Sequence, residues 1–231
     1  MKKNQIKLKR NLIIKKTLNT VFWVSLLLIV SFSSYLFTGC GNKGNDVSSY
    51  SSNELTILGW QAFQNGNFAE AERYFNELTK REDAYLVGHG GLGWTFLRTY
   101  KYQNAKNEFN KFFTLDSLGV YPPTDSLTRD VRAGQVFVHS ALSEHSVVIT
   151  SSQGFTANNA TNNNWRFRYD RNITVVDVRL LRAASQVSMK NFTDAYTMVR
   201  LIEPSFETDL NTVEGRLMLV MKIEELIEMR R

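Results

Sequence analysis

From Leu55 onward the apolar positions recur with a helical period. Phe68, Ala71, Phe75 and Leu78 fall at i, i+3, i+7 and i+10, one stripe of an amphipathic helix. Asn65-Gly66-Asn67 supplies turn chemistry just ahead of that stripe. The pattern predicts helices over 54–65 and 68–80 facing each other across a short turn, then a second pair over 84–99 and 102–114. Tyr121-Pro122-Pro123 breaks helix formation between Leu115 and Ser126, and Asp125 or Ser126 can cap the next helix, expected over 127–149 (Val131, Gln135, Val138, Leu142, Val147). Further helices are expected over 173–189, over 191–202 and over 207–229, where Leu210, Val213, Leu217, Val220, Met221 and Ile227 read as the apolar face of a closing helix. The run Ser151 to Arg168, rich in asparagine, reads as a polar surface loop too poor in apolar side chains to pack.

A second periodicity lies above the helical one. Leu58, Gly59 and Trp60 recur 34 residues later as Leu92, Gly93 and Trp94, and Phe68, Ala71 and Phe75 recur as Tyr102, Ala105 and Phe109. A fixed offset of this length marks a repeated helix–turn–helix unit in which neither hairpin buries its apolar side alone. Gly59 and Gly93 then stand where two helices cross with no Cβ between them. A weaker copy covers 173–203, where Phe192, Ala195 and Val199 keep the spacing of Phe68, Ala71 and Phe75. Gly88-His89-Gly90-Gly91-Leu92-Gly93 spells a dinucleotide-loop motif, but no strand precedes it and its last glycine is the repeat equivalent of Gly59, so close helix packing accounts for it.

These residues resemble the tetratricopeptide repeat family: Leu58, Gly59, Gly66, Phe68, Ala71 and Phe75 match its motif, as do Leu92, Gly93, Tyr102, Ala105 and Phe109. Ala62 and Phe96 depart from it, Tyr100 replaces its turn glycine, and no proline closes either unit. The resemblance implies an all-α fold over residues 54–231, an α-solenoid of helical hairpins with a C-terminal capping helix. It also implies a groove on the first-helix side that docks a protein or peptide. The groove positions carry over to Asn53, Thr56, Trp60, Phe63 and Gln64, then to Val87, Gly90, Trp94, Leu97 and Arg98. Trp60, Phe63, Gln64, Trp94, Leu97 and Arg98 are therefore the expected partner-binding residues. The alternative is that both indoles are covered by the helices near 131–147 and 173–189.

Charge changes the picture only at the N-terminus. Seven of the 28 basic residues lie within Met1 to Lys16, and Val21 to Gly39 is almost wholly apolar, the layout of a secretory signal. Setting 1–39 aside leaves 21 basic against 22 acidic residues, so the overall charge of +6 belongs to that segment and gives no support to nucleic-acid binding. The single cysteine, Cys40, follows Thr38-Gly39, which resembles a bacterial lipoprotein signal. The resemblance implies acylation of Cys40, a flexible Gly/Asn/Ser tether over 40–53 and attachment at the cell envelope, with the outer membrane favoured because Gly41 replaces the aspartate of inner-membrane retention. An uncleaved anchor is the alternative reading.

The inventory for catalysis is thin. His89, His139 and His145 show no metal-ligand spacing, no serine sits in a nucleophile elbow, and Cys40 is assigned to the anchor. No enzyme, metal or cofactor is expected. Trp165-Arg166-Phe167-Arg168-Tyr169 alternates aromatic and basic residues with period two. It reads as an extended segment laying three rings onto the helical core, or as a platform on which Trp165, Phe167 and Tyr169 hold saccharide or peptidoglycan fragments.

Overall fold

The computed structural model describes residues 46–117 and 125–230; the expected signal over 1–39, Cys40 and the Tyr121-Pro122-Pro123 turn lie outside them. The described residues are all-helical. They hold α1 (Ser52–Gln64), α2 (Phe68–Leu78), α3 (Tyr85–Arg98), α4 (Tyr102–Ser117), α5 (Asp125–Ala141), α6 (His145–Ser151), the one-turn α7 (Ala160–Asn163), α8 (Val175–Ser188), α9 (Phe192–Arg200) and α10 (Val213–Glu228). A 3-10 turn, Val47–Ser49, precedes α1 and packs on α2, with Arg81 Nη2 donating to Ser48 O at 2.9 Å. The folded unit thus begins at Val47, inside the expected tether. Ser51 and Glu54 start α1 with a capping box, and Thr174 and Asp177 start α8 with another.

One turn geometry is used four times. Gly66, Tyr100, Ser143 and Lys190 adopt left-handed φ values of 75°, 60°, 57° and 62°. Behind each, the next residue's N–H reaches back five residues: Asn67 to Ala62 O, Lys101 to Phe96 O, Glu144 to His139 O and Asn191 to Gln186 O, all at 2.8 to 2.9 Å. This is the Schellman closure of a helix, and it joins α1 to α2, α3 to α4, α5 to α6 and α8 to α9. The expected helix over 127–149 is therefore two helices, broken at Leu142-Ser143-Glu144 into a full hairpin. Asp125 and Ser126 lie inside α5 instead of capping it.

The hairpins stack in chain order. Each first helix packs on both helices of the hairpin before it, with α3 on α1 and α2, α5 on α3 and α4, and α8 on α5 and α6. Two phenylalanines lock the first three. Phe75, fully buried, lies between Gly59 and Gly91: a Cβ on Gly59 would stand 2.8 Å from Phe75 Cε1, and one on Gly91 would stand 2.3 Å from Phe75 Cδ1. Phe109 repeats this between Gly93 (2.3 Å to Cε1) and Gly134 (2.4 Å to Cζ). Ion pairs bridge the same hairpins with exchanged charges, Glu72 to Lys101 at 3.1 Å and Lys106 to Glu144 at 2.5 Å.

One core runs from Leu55 to Val178 and a smaller one from Leu180 to Leu226. α10 packs on α8 and α9, but in a different phase from the expected one. Gly215, Leu219, Ile223 and Leu226 face inward, while Val213, Leu217 and Met221 of the expected apolar face are exposed. Gly215 sets this phase, since a Cβ there would lie 1.9 Å from Asp209 O. No helix among the described residues is long and apolar enough to cross a membrane.

Candidate functional site

The face built by α1, α3 and α5 is covered by the chain's own residues 152–174. The covering segment begins at Ser152, whose Oγ donates to Val148 O at 2.6 Å, and the 3-10 turn Gln153–Phe155 then drives Phe155 inward to 1% exposure. Asn159 caps α7 by accepting from Asn162 N–H at 2.9 Å, and the buried Asn162 donates from Nδ2 to Ala157 O at 3.0 Å. Arg129 donates to Asn162 Oδ1. Arg179, 3% exposed, donates to Phe155 O and Ala157 O, both at 3.1 Å, and to Asn163 Oδ1 at 2.9 Å. Burial lowers the Arg179 pKa, and its guanidinium meets carbonyl and amide oxygens there. The asparagine-rich run from Thr156 to Asn164 therefore lies at the surface, as its polarity led one to expect, with Asn162 alone buried, but it is tied down by amide and guanidinium hydrogen bonds, and the segment's packing comes from Phe155, Trp165 and Phe167 on either side of it.

Residues 165–167 run antiparallel to the residues that lead into α8, Phe167 N–H donating to Ile173 O at 2.9 Å and Val175 N–H to Trp165 O at 3.2 Å, and the chain turns at 168–169. The period of two then points Trp165, Phe167 and Tyr169 at the helices and leaves Arg166 and Arg168 exposed. Phe167 stacks on Trp94 with centroids 4.0 Å apart and planes 17° apart; Tyr169 stacks on Trp60 at 3.7 Å and 3°. Phe63 meets the edge of Phe167 at 6.1 Å. Arg98 Nη1 donates to Asp170 Oδ2 at 2.6 Å, so the charged end of the expected groove is also met by this segment.

The six groove residues thus separate. Trp60, Phe63 and Trp94 are brought together, but buried, with Trp94 at 1% exposure. Leu97 packs half-buried against the core, Arg98 is tied to Asp170, and Gln64 is exposed and takes no part. The strip at 165–170 stacks on both indoles, and the helix near 131–147 shares the cover over Trp94, where Phe137 of α5 lies 6.0 Å from the indole. The three rings of that strip offer no free face for stacked sugars at Trp165 or Phe167, which are 8% and 0% exposed.

Under the strip, Trp165 Nε1–H donates to Asp130 Oδ1 at 3.1 Å, with Phe155 edge-on to the indole at 5.1 Å. Burial pushes the Asp130 carboxyl up to about 6; the Trp165 hydrogen bond and the charges of Arg168 and Arg129 pull against it and do not cancel it. At the other end of the strip the described residues leave a pocket of about 410 Å³. Trp60, Tyr169, Leu86, Val87 and Leu127 give it apolar walls, and Thr56, Asp83 and Arg168 give it polar edges. Desolvation raises the Tyr169 phenol above its ordinary value, so it stays protonated at neutral pH.

The histidines are used in packing. His89 Nδ1 sits 2.5 Å from Glu108 Oε2 between α3 and α4, His139 pairs with Glu144 at the third turn, and His145 Nδ1 lies 3.3 Å from Ser185 Oγ. No family model matches the chain, and no curated protein or solved structure is similar enough to it to count as a relative. Asp130, Arg129, Asn162 and Arg179, which pin the covering segment, did not stand out in the sequence. The available signal was Arg179, a charge among the inward positions Val175, Val178 and Ala183.

Proposed function

We propose that this chain is a non-catalytic, tetratricopeptide-like helical scaffold, lipid-anchored through Cys40 at the bacterial cell envelope, that docks a protein or peptide. The observation that carries the reading is the pocket beside the Trp60–Tyr169 stack. Among the described residues it is a part of the first-helix face that the strip leaves uncovered, and its apolar walls with Arg168 and Asp83 at the edge suit one apolar anchor side chain of a peptide. The four identical turns and the in-order stacking support the repeat reading. The groove role expected for Trp60 and Trp94 becomes support for the strip, and recognition moves to the pocket's edge.

A photo-crosslinking residue at Asp83, in the full-length chain in cells, tests this. The expected result is a discrete protein adduct that is absent with the probe at Glu70 on the exposed side of α2 and is lost when Leu127→Glu fills the pocket wall. Equal labelling from Asp83 and Glu70, or an adduct unchanged by Leu127→Glu, overturns the docking site. Mass spectrometry of the mature N-terminus tests the anchor separately, with acylated Cys40 expected.

A further inference from the structure

The outward side of the covering segment carries positive charge that its surroundings do not neutralise. Residues 165–172 hold three exposed arginines, Arg166, Arg168 and Arg171, and one carboxylate, Asp170, which is taken by Arg98 at 2.6 Å. The next acid along the chain, Asp177, is taken by Arg230 at 2.7 Å, and Asp130 lies buried beneath the strip. Among the described residues the guanidinium groups of Arg166 and Arg171 meet no carboxylate, and Arg168 donates to the Ser126 hydroxyl at 2.5 Å. Beyond residue 39 the chain balances 21 basic against 22 acidic residues, so the arginines mark a local segregation of charge. All three come from the insertion at 152–174 and none from the repeated hairpins. Arginine at every one of the three positions offers planar forks that suit carboxylates.

We propose that the pocket beside Tyr169 takes a segment of a partner protein in which an apolar anchor is flanked on one side by a short run of acidic residues, the anchor seated against Trp60 and Leu127 and the carboxylates lying over the strip's arginines. The inference rests on the docking reading above and adds the partner's charge and direction. Arg168 joins the two features, because it stands at the pocket's edge and in the middle of the arginine row. Asp83, whose carboxylate accepts from Ser52 Oγ at 2.7 Å, stands at the edge as well. The edge is thus charged both ways, which orients the occupant: acidic residues leave over Arg168, and a neutral or basic residue leaves past Asp83, where a carboxylate would be repelled. A lipid headgroup or a nucleic acid would satisfy the arginines but leave the apolar walls of Leu86, Val87 and Leu127 unfilled. Exposed arginine–carboxylate pairs contribute little each, so the arginines set direction and encounter rate while the anchor supplies most of the affinity.

The test adds substitutions to the full-length chain that bears the photo-crosslinking residue at Asp83. Arg166→Glu/Arg171→Glu is expected to cut the adduct at least about fivefold, with an unchanged circular-dichroism melt because neither guanidinium holds another group in the fold. Arg73→Glu/Lys190→Glu, the same change of net charge at exposed positions outside the pocket, is expected to leave the adduct intact. In detergent, a fluorescein-labelled, end-capped probe peptide with three glutamates beside one leucine is expected to bind the wild-type chain in a salt-sensitive way, and its counterpart with three lysines is not. An adduct at full strength in Arg166→Glu/Arg171→Glu, or a glutamate peptide that binds no tighter than the lysine peptide, overturns the acidic partner and leaves the docking pocket standing. No adduct from Asp83 in the otherwise wild-type chain overturns the docking reading and this inference with it. An unchanged adduct together with lost binding to phosphatidylglycerol vesicles assigns the arginines to lipid and likewise overturns the inference.

Discussion

Replacing Asp130 with asparagine keeps the shape of the side chain and removes its titration, and the structure fixes how stability responds to pH. Asp130 is 5% exposed, and its Oδ1 accepts from Trp165 Nε1–H at 3.1 Å, a role that an amide oxygen can keep. Its pKa is about 6 in the folded chain against 3.8 for an unperturbed group. The folded state therefore holds a proton that the unfolded state has already released, and unfolding is favoured progressively as pH rises from the lower value to the higher. Two units at about 1.4 kcal/mol each amount to about 3 kcal/mol, present below the unfolded pKa and lost once pH passes about 6. An amide side chain at this position cannot ionise and loses nothing over that window. The assay is urea unfolding of wild type and Asp130→Asn, followed by tryptophan fluorescence and circular dichroism from about pH 4 to about pH 8. Taking the difference cancels groups that both proteins share, such as Glu144, whose carboxyl is held low by Lys106 and His139 and whose contribution fades as pH falls. The variant is expected to gain about 2 to 3 kcal/mol on wild type between about pH 4 and about pH 6.5, then hold a constant lead. A difference that does not move with pH, or one that shrinks as pH rises, would refute the buried-carboxyl account.

The ring-and-glycine lock predicts that Gly93→Ala and Gly134→Ala each destabilise by about 1 to 3 kcal/mol in urea unfolding, and that Phe109→Leu recovers part of either loss, because both clashes are with the Phe109 ring. Tyr100 and Lys190 carry side chains at left-handed turns, so Tyr100→Gly and Lys190→Gly are each expected to raise the unfolding midpoint, worth about 1 kcal/mol; a fall in midpoint at both would mean that the turns are not strained. Phe167→Ala removes a fully buried ring stacked on Trp94 and is expected to cost about 3 to 5 kcal/mol. That loss should be accompanied by a red-shifted tryptophan emission. An unshifted spectrum with full stability would mean that the strip does not seal this face.

How far the sequence could be read depends on which force holds each part. The first two hairpins were legible because their lock is apolar and repeats at a constant spacing, so Gly59 with Phe75 and Gly93 with Phe109 register as a pattern. The third hairpin uses the same turn but has exchanged the lock. Ser152 stands where Phe75 and Phe109 do, and Leu181 of the next first helix stands where Gly91 and Gly134 do, so large and small have traded sides and a search for the original pair passes over it. The turn residues also shift from a spacing of 34 between Gly66 and Tyr100 to 43 between Tyr100 and Ser143 and to 47 between Ser143 and Lys190, the last because residues 152–174 are inserted there. That insertion seats Phe155, Trp165 and Phe167 in the core and is pinned by hydrogen bonds from Asn162, Arg129 and Arg179, which hydropathy counts as solvent-facing. In α10 the period was ambiguous because apolar residues surround its first half. A backbone contact at Gly215, which side-chain hydropathy does not register, chose which face turned inward. The rule that emerges is physical: where burial was apolar the pattern located it, and where burial was polar or fixed by backbone contact the pattern pointed to the surface. The covered Trp60–Trp94 face shows both cases at once, since the alternation that lays Phe167 and Tyr169 on the helices was legible and the polar clamp that pins the segment ahead of them was not.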